Sequence, residues 1–96
     1  MPEWFSTPRP NLYVSDAGFS VEILGQTGMR YREAGRAVFV DSEVMNEPDA
    51  MLAYSGSIKK WDPPHESKPL DDDDRERIIR NIRRAFEFKG YKLHVI

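Results

Sequence analysis

Apolar positions recur at every second residue through the first half of the chain. Leu12 and Val14 alternate with polar neighbours, and Asp16–Ala17–Gly18 supplies a turn. Phe19, Val21 and Ile23 then alternate with Ser20, Glu22 and Leu24, and a second turn spans Gly25 to Gly28. Met29, Tyr31 and Glu33 follow, Ala34–Gly35 breaks the pattern, and Ala37–Val38–Phe39–Val40 resumes it. Successive side chains of a strand point to opposite faces, so this period predicts short strands joined by tight turns as a hairpin or meander. Residues 41–49 (DSEVMNEPD) are less regular and read as an acidic loop. Met51 to Tyr54 and Ser57–Ile58 read as a further strand, with Ser55–Gly56 as a bend or bulge.

After Pro69 the period changes. Ile78, Ile79, Ile82, Ala85 and Phe86 fall on one stripe at helical spacing, as for a helix laid on a sheet. Asp71 or Asp72 can cap it, and Asp71 to Asp74 place four carboxylates where the free N–H groups of a first turn favour negative charge. Arg83, Arg84 and Lys89 suit the opposite end, and Gly90 is a stop. Tyr91, Leu93 and Val95 then alternate with Lys92, His94 and Ile96 in a last strand.

These elements predict an α+β fold: an antiparallel sheet of about five or six short strands packed against one long helix (about 71–89), with a C-terminal strand (91–96). Between the two patterns lies Ile58 to Leu70 (IKKWDPPHESKPL), which holds one of two tryptophans and three of seven prolines. Trp61 reads as a buried anchor there. Pro63 and Pro64 fix two φ angles and predict a stiff, extended corner carrying His65 and Glu66. Residues 1–11, with Pro2, Pro8 and Pro10 around Trp4–Phe5, read as a flexible N-terminal arm, leaving 12–96 as a single domain. The aromatic pair is expected to pack on the domain rather than to touch a partner.

Composition narrows the function. At 96 residues the chain builds one modest core, and 40% hydrophobic with 31% charged residues is a globular balance. A net charge of −2 is too small to imply a nucleic-acid or membrane partner. The absence of cysteine excludes disulfides and thiolate metal sites. No apolar run matches a signal peptide or a membrane span, so the expected location is the cytoplasm.

Each cluster of reactive residue types has an ordinary alternative. Arg75, Arg77, Arg80, Arg83 and Arg84 could form a nucleic-acid face, but Asp73, Glu76 and Glu87 interleave with them. Asp73–Arg77 and Glu76–Arg80 have the acid-first i,i+4 order of a solvated helix face, the preferred reading. Asp71 to Asp74 lack the spaced ligands and turn glycine of a calcium loop, which leaves capping. His65 and Glu66 could act as a base pair or as metal ligands, yet only His94 is available as a further histidine, and no HExxH, nucleophile elbow or phosphate loop occurs. No catalytic residue, metal or cofactor is therefore expected. Asp41, Glu43, Glu47 and Asp49 form an acidic run that is either a solvated loop or a docking surface for a basic partner.

Strands ending in SIKKWDPPHE, a polar spacer, the helix RERIIRNIRRAF and a final strand resemble the Imm74 family of bacterial immunity proteins, from about Leu12 to Ile96. Trp61, Pro63, Pro64, His65 and Glu66 carry the motif that is most distinctive of it. The resemblance implies an α+β protein of a polymorphic toxin system, which binds and neutralises a cognate toxin encoded nearby, without catalysis. Toxins that attack nucleic acids are commonly basic, which makes the acidic run the preferred partner-facing surface. A generic interaction module, self-associating as a homodimer through an exposed strand edge, is the first alternative. A small enzyme or metal protein using His65 and Glu66 is the second.

Overall fold

The computed structural model describes residues 4–96. Seven strands form one curled sheet in the order of the chain: β1 (Phe5–Arg9), β2 (Leu12–Ser15), β3 (Phe19–Ile23), β4 (Gly28–Glu33), β5 (Arg36–Val44), β6 (Ala50–Ala53) and β7 (Lys92–Val95). One helix, α1 (Asp72–Lys89), covers the inner face. The α+β class is as the periodicity predicts, with more strands and one parallel pair. β1 to β6 are antiparallel neighbours, whereas β7 lies parallel to β6 with Met51 beside Leu93. Parallel neighbours need a long connection, and α1 supplies it.

The turns follow from local chemistry. β4 and β5 are joined by Ala34 (φ 51°) and Gly35 (φ 77°), both in the left-handed region that a two-residue hairpin turn requires. Between β2 and β3 the Ser15 hydroxyl accepts from the Ala17 N–H at 2.9 Å. Five of the residues expected in the N-terminal arm form β1 instead: Phe5–Arg9 lies against β2, and Met1 to Glu3 fall outside the described residues. Phe5 stacks on Phe88 at 5.1 Å and meets Phe19 edge-on at 5.8 Å, while Trp4 stays 73% exposed. Only half of the aromatic pair packs.

β5 is the longest strand, and it changes partner along its length. Arg36 to Asp41 pair with β4, and Ser42 to Val44 pair with β6. Residues 41–44 are thus strand and not loop, because Ser42 points inward while Asp41 and Glu43 face solvent. Ser55–Ser57 forms a 3₁₀ turn, so the expected strand at Ser57–Ile58 is absent; the Tyr54 N–H bonds to the Asp41 carbonyl at 2.9 Å.

Helix α1 begins at a reciprocal cap. The Asp74 N–H donates to Asp71 Oδ1 at 2.8 Å and the Asp71 N–H to Asp74 Oδ2 at 3.3 Å. It ends at Gly90 (φ 84°), where the Tyr91 N–H reaches back to the Phe86 carbonyl. Ile78, Ile82, Ala85 and Phe86 lie buried against Tyr13, Val21, Tyr31, Val40 and Leu93. A polar chain also ties the helix to β4. Asn81 donates to the Tyr31 hydroxyl at 2.8 Å, that hydroxyl donates to Glu33 at 2.7 Å, and Arg77 grips Glu33 through two bonds of 3.1 Å. Arg77 therefore bonds Glu33 and Asp74, where the helical spacing predicts Asp73. Burial drives the Tyr31 hydroxyl well above the ordinary tyrosine range.

Candidate functional site

Two surfaces carry the residues singled out from the sequence. The first is the loop between Trp61 and Leu70, both buried. Arg36 lies over the indole of Trp61 at 4.6 Å, and the Asp62 N–H donates to the Ala37 carbonyl at 2.7 Å, closing the part of β5 that β6 does not reach. The corner is not extended. Lys60 bridges Pro69, the Leu70 N–H bonds the Lys59 carbonyl, and the His65 N–H closes a turn onto the Asp62 carbonyl, so the chain doubles back. Prolines restrict each φ but leave the turn between them open, and the paired ends decide the shape. Pro63, Pro64, His65, Glu66, Ser67, Lys68 and Pro69 are all exposed. Trp61 faces the core; His65 and Glu66 face water. Among the described residues, no group of three or more His, Asp or Glu side chains is arranged to hold a metal ion.

The second surface is the outer face of β5–β6–β7. The four acidic residues expected in one loop are divided between elements. Asp41 and Glu43 project from β5, while Glu47 and Asp49 belong to the connection to β6. Across the strands, Glu43 neighbours Leu52 and Leu52 neighbours His94. Glu43 accepts the Tyr54 hydroxyl, and this bond, with burial and the charge of Asp41, raises the Tyr54 phenol above its ordinary value. Glu47 is held from β7 by Lys92 Nζ at 2.8 Å and His94 Nε2 at 3.0 Å. The hydrogen bond from Lys92, then that from His94, keeps the Glu47 carboxyl below the usual carboxylate range.

Glu47 is thus neutralised within the fold. Asp41, Glu43 and Asp49 make no ion pair among the described residues, and they leave this face negative. Behind the β5–β6 connection lies a cleft of about 400 Å³, with Ile23, Met45, Met51 and Tyr91 among its lining residues, together with Glu47 and Asp49. Apolar lining residues with the Asp49 carboxylate among them suit a long basic side chain, whose methylenes and charge would meet different groups. Tyr54, Lys92 and His94 join the acidic residues on this face. The i,i+2 spacing of Lys92 and His94 puts both on one face of a strand, but nothing in the sequence joins them to Glu47.

Residues 20–96 match the family described as Immunity protein 74, Imm74. The chain belongs to this immunity-protein family. The matched span begins at Ser20 rather than Leu12, leaving β1 and β2 outside it. No curated protein and no solved structure matches the chain. Among the described residues, no helix is long and apolar enough to cross a membrane.

Proposed function

We propose that this chain binds the toxin encoded beside it and neutralises it by occupying its surface, in the cytoplasm of the producing cell and without catalysis. The observation that carries this reading is membership of the immunity family over residues 20–96. The contact surface is the acidic outer face, with Asp41, Glu43 and Asp49 supplying the field and the cleft behind the β5–β6 connection taking a basic side chain of the toxin. Glu47 holds the connection in place through Lys92 and His94. Trp61, Pro63 and Pro64 shape the neighbouring loop, whose exposed His65 and Glu66 are assigned no catalytic part.

Protection demands a complex that outlasts toxin encounter, with Kd near ~1 nM or tighter and a buried area of about 1,200–2,000 Å². Charges on the rim act mainly on the association rate. The test is co-expression with the neighbouring toxin, scored by co-purification and by host growth. A stable complex and restored growth are expected; a toxin that neither binds this chain nor is silenced by it refutes the reading. The surface assignment is tested separately with Asp41→Asn, Glu43→Gln and Asp49→Asn combined. The triple variant should associate about tenfold more slowly at low salt and lose most of its salt dependence. An unchanged rate would move the interface elsewhere.

A further inference from the structure

The two ends of the sheet are treated differently. β1, at one end, carries Pro8 and a register shift between Ser6 and Arg9, devices that stop a strand from pairing further. β7, at the other end of the described strand order, has neither. Lys92 and Ile96 donate their N–H groups to Asp49 and Ala53 of the β6 side, so Leu93 and Val95 turn their backbone groups to the free edge. Arg83 covers one of them, donating to the Leu93 carbonyl at 2.8 Å. Beside this edge runs a groove of about 480 Å³, floored by Ile79 and Val95.

The charges along the helix side of the groove are ordered. Toward the N-terminal half lie Asp72, which Arg75 beside it pairs at 2.6 Å, and Glu76; toward the C-terminal half lie Arg80 and Arg83. A two-fold axis beside β7 would set two helices antiparallel, so Glu76 of each copy would meet Arg80 and Arg83 of the other. We infer that this edge is a self-association surface on which a second copy of the chain adds its own β7 antiparallel, continuing the sheet across a two-fold axis. The register that joins the outward-facing positions pairs Leu93 of each copy with Val95 of the other and forms four backbone hydrogen bonds. Arg83 then leaves the Leu93 carbonyl to the new strand and moves to Glu76 of the second copy. In the single chain it caps the edge. The surface is separate from the one proposed for the toxin in its central residues, and this inference does not rest on that function.

The strand pair is short and the helix contact modest, so the dimer is expected to be weak, half-formed at about 10–100 µM. Sedimentation equilibrium of the purified chain from about 1 to 300 µM tests this directly, since a reversible dimer must follow mass action over such a range. Amide exchange at Leu93 and Val95 should slow as the concentration rises. Glu76→Arg, an exposed substitution, should weaken dimerisation about tenfold, and adding Arg83→Glu should restore it to within about threefold by re-forming opposite-charge pairs. A chain that stays monomeric throughout overturns the inference. So does a dimer that is indifferent to Glu76→Arg, or one with unchanged exchange at Leu93 and Val95.

Discussion

Replacing Trp61 by alanine tests how the loop between Trp61 and Leu70 is held. The indole is 2% exposed within the core cluster. Burying roughly 150–250 Å² at about 25 cal/mol/Å² gives about 4–6 kcal/mol as an upper bound. Alanine keeps a small part of that burial and leaves a cavity, and such truncations cost about 3–5 kcal/mol. Loss of the Arg36 contact adds about 0.5 kcal/mol, because the guanidinium is partly solvated. A domain of this size has about 5–14 kcal/mol in total, so the variant should still fold but melt about 12–30 °C lower. Urea denaturation should be followed by circular dichroism, since Trp4 remains as a solvent-exposed fluorophore. Trp61→Phe should recover about half of the loss, whereas His65→Ala and Glu66→Ala, both exposed, should stay within about 0.5 kcal/mol of the parent. A Trp61→Ala loss below about 1 kcal/mol, at unchanged slope against urea, would refute the anchor role.

Ala34 holds a left-handed conformation that suits asparagine better, so Ala34→Asn should raise stability by about 0.5–1 kcal/mol in the same assay. Asn81→Ala leaves the Tyr31 hydroxyl short of one partner and should cost about 1–3 kcal/mol; a double-mutant cycle with Tyr31→Phe should show a coupling of at least ~0.5 kcal/mol. The Asp74 carboxyl is held below its ordinary value, first by the bond from Arg77 and then by the Asp71 N–H. The folded chain therefore binds fewer protons there than the unfolded one, and the stability it supplies is present above about pH 4 and lost as pH falls through the lower folded value. Asp74→Asn should weaken the domain at neutral pH while flattening its acid limb; an equally steep limb would place the acid sensitivity elsewhere.

Much of this architecture could be read from the chain because period and caps agree. β3 and β4 alternate as their period predicts, whereas β2 turns Tyr13 and Ser15 inward and leaves Leu12 and Val14 half-buried; α1 is announced by its aspartates and ended by Gly90. β1 was hidden by its prolines. A proline is compatible with an edge strand, but no local pattern says which strand will be the edge. The extension of β5 through Asp41–Val44 was hidden for a related reason. Its outer face meets water, so carboxylates there look like a loop. The pairing of β6 with β7 joins positions about forty residues apart, beyond the reach of periodicity. The same distance separates Glu47 from Lys92 and His94, and Glu33 from Arg77. Those long-range ion pairs reshaped the candidate site: one acidic residue became structural, and the polar cation of the helix turned toward β4.

Strand order that follows chain order has a consequence during synthesis. Each of β2 to β6 finds its neighbour in the segment that has just left the ribosome, so the first six strands can zip together from local contacts. The inner face nevertheless stays wet until Asp72–Ile96 emerges, because α1 and β7 supply its cover. The nascent sheet is held open until α1 and β7 have emerged and is then shut by a single βαβ crossover. Until then the apolar side of the sheet is the surface that chaperones would shelter.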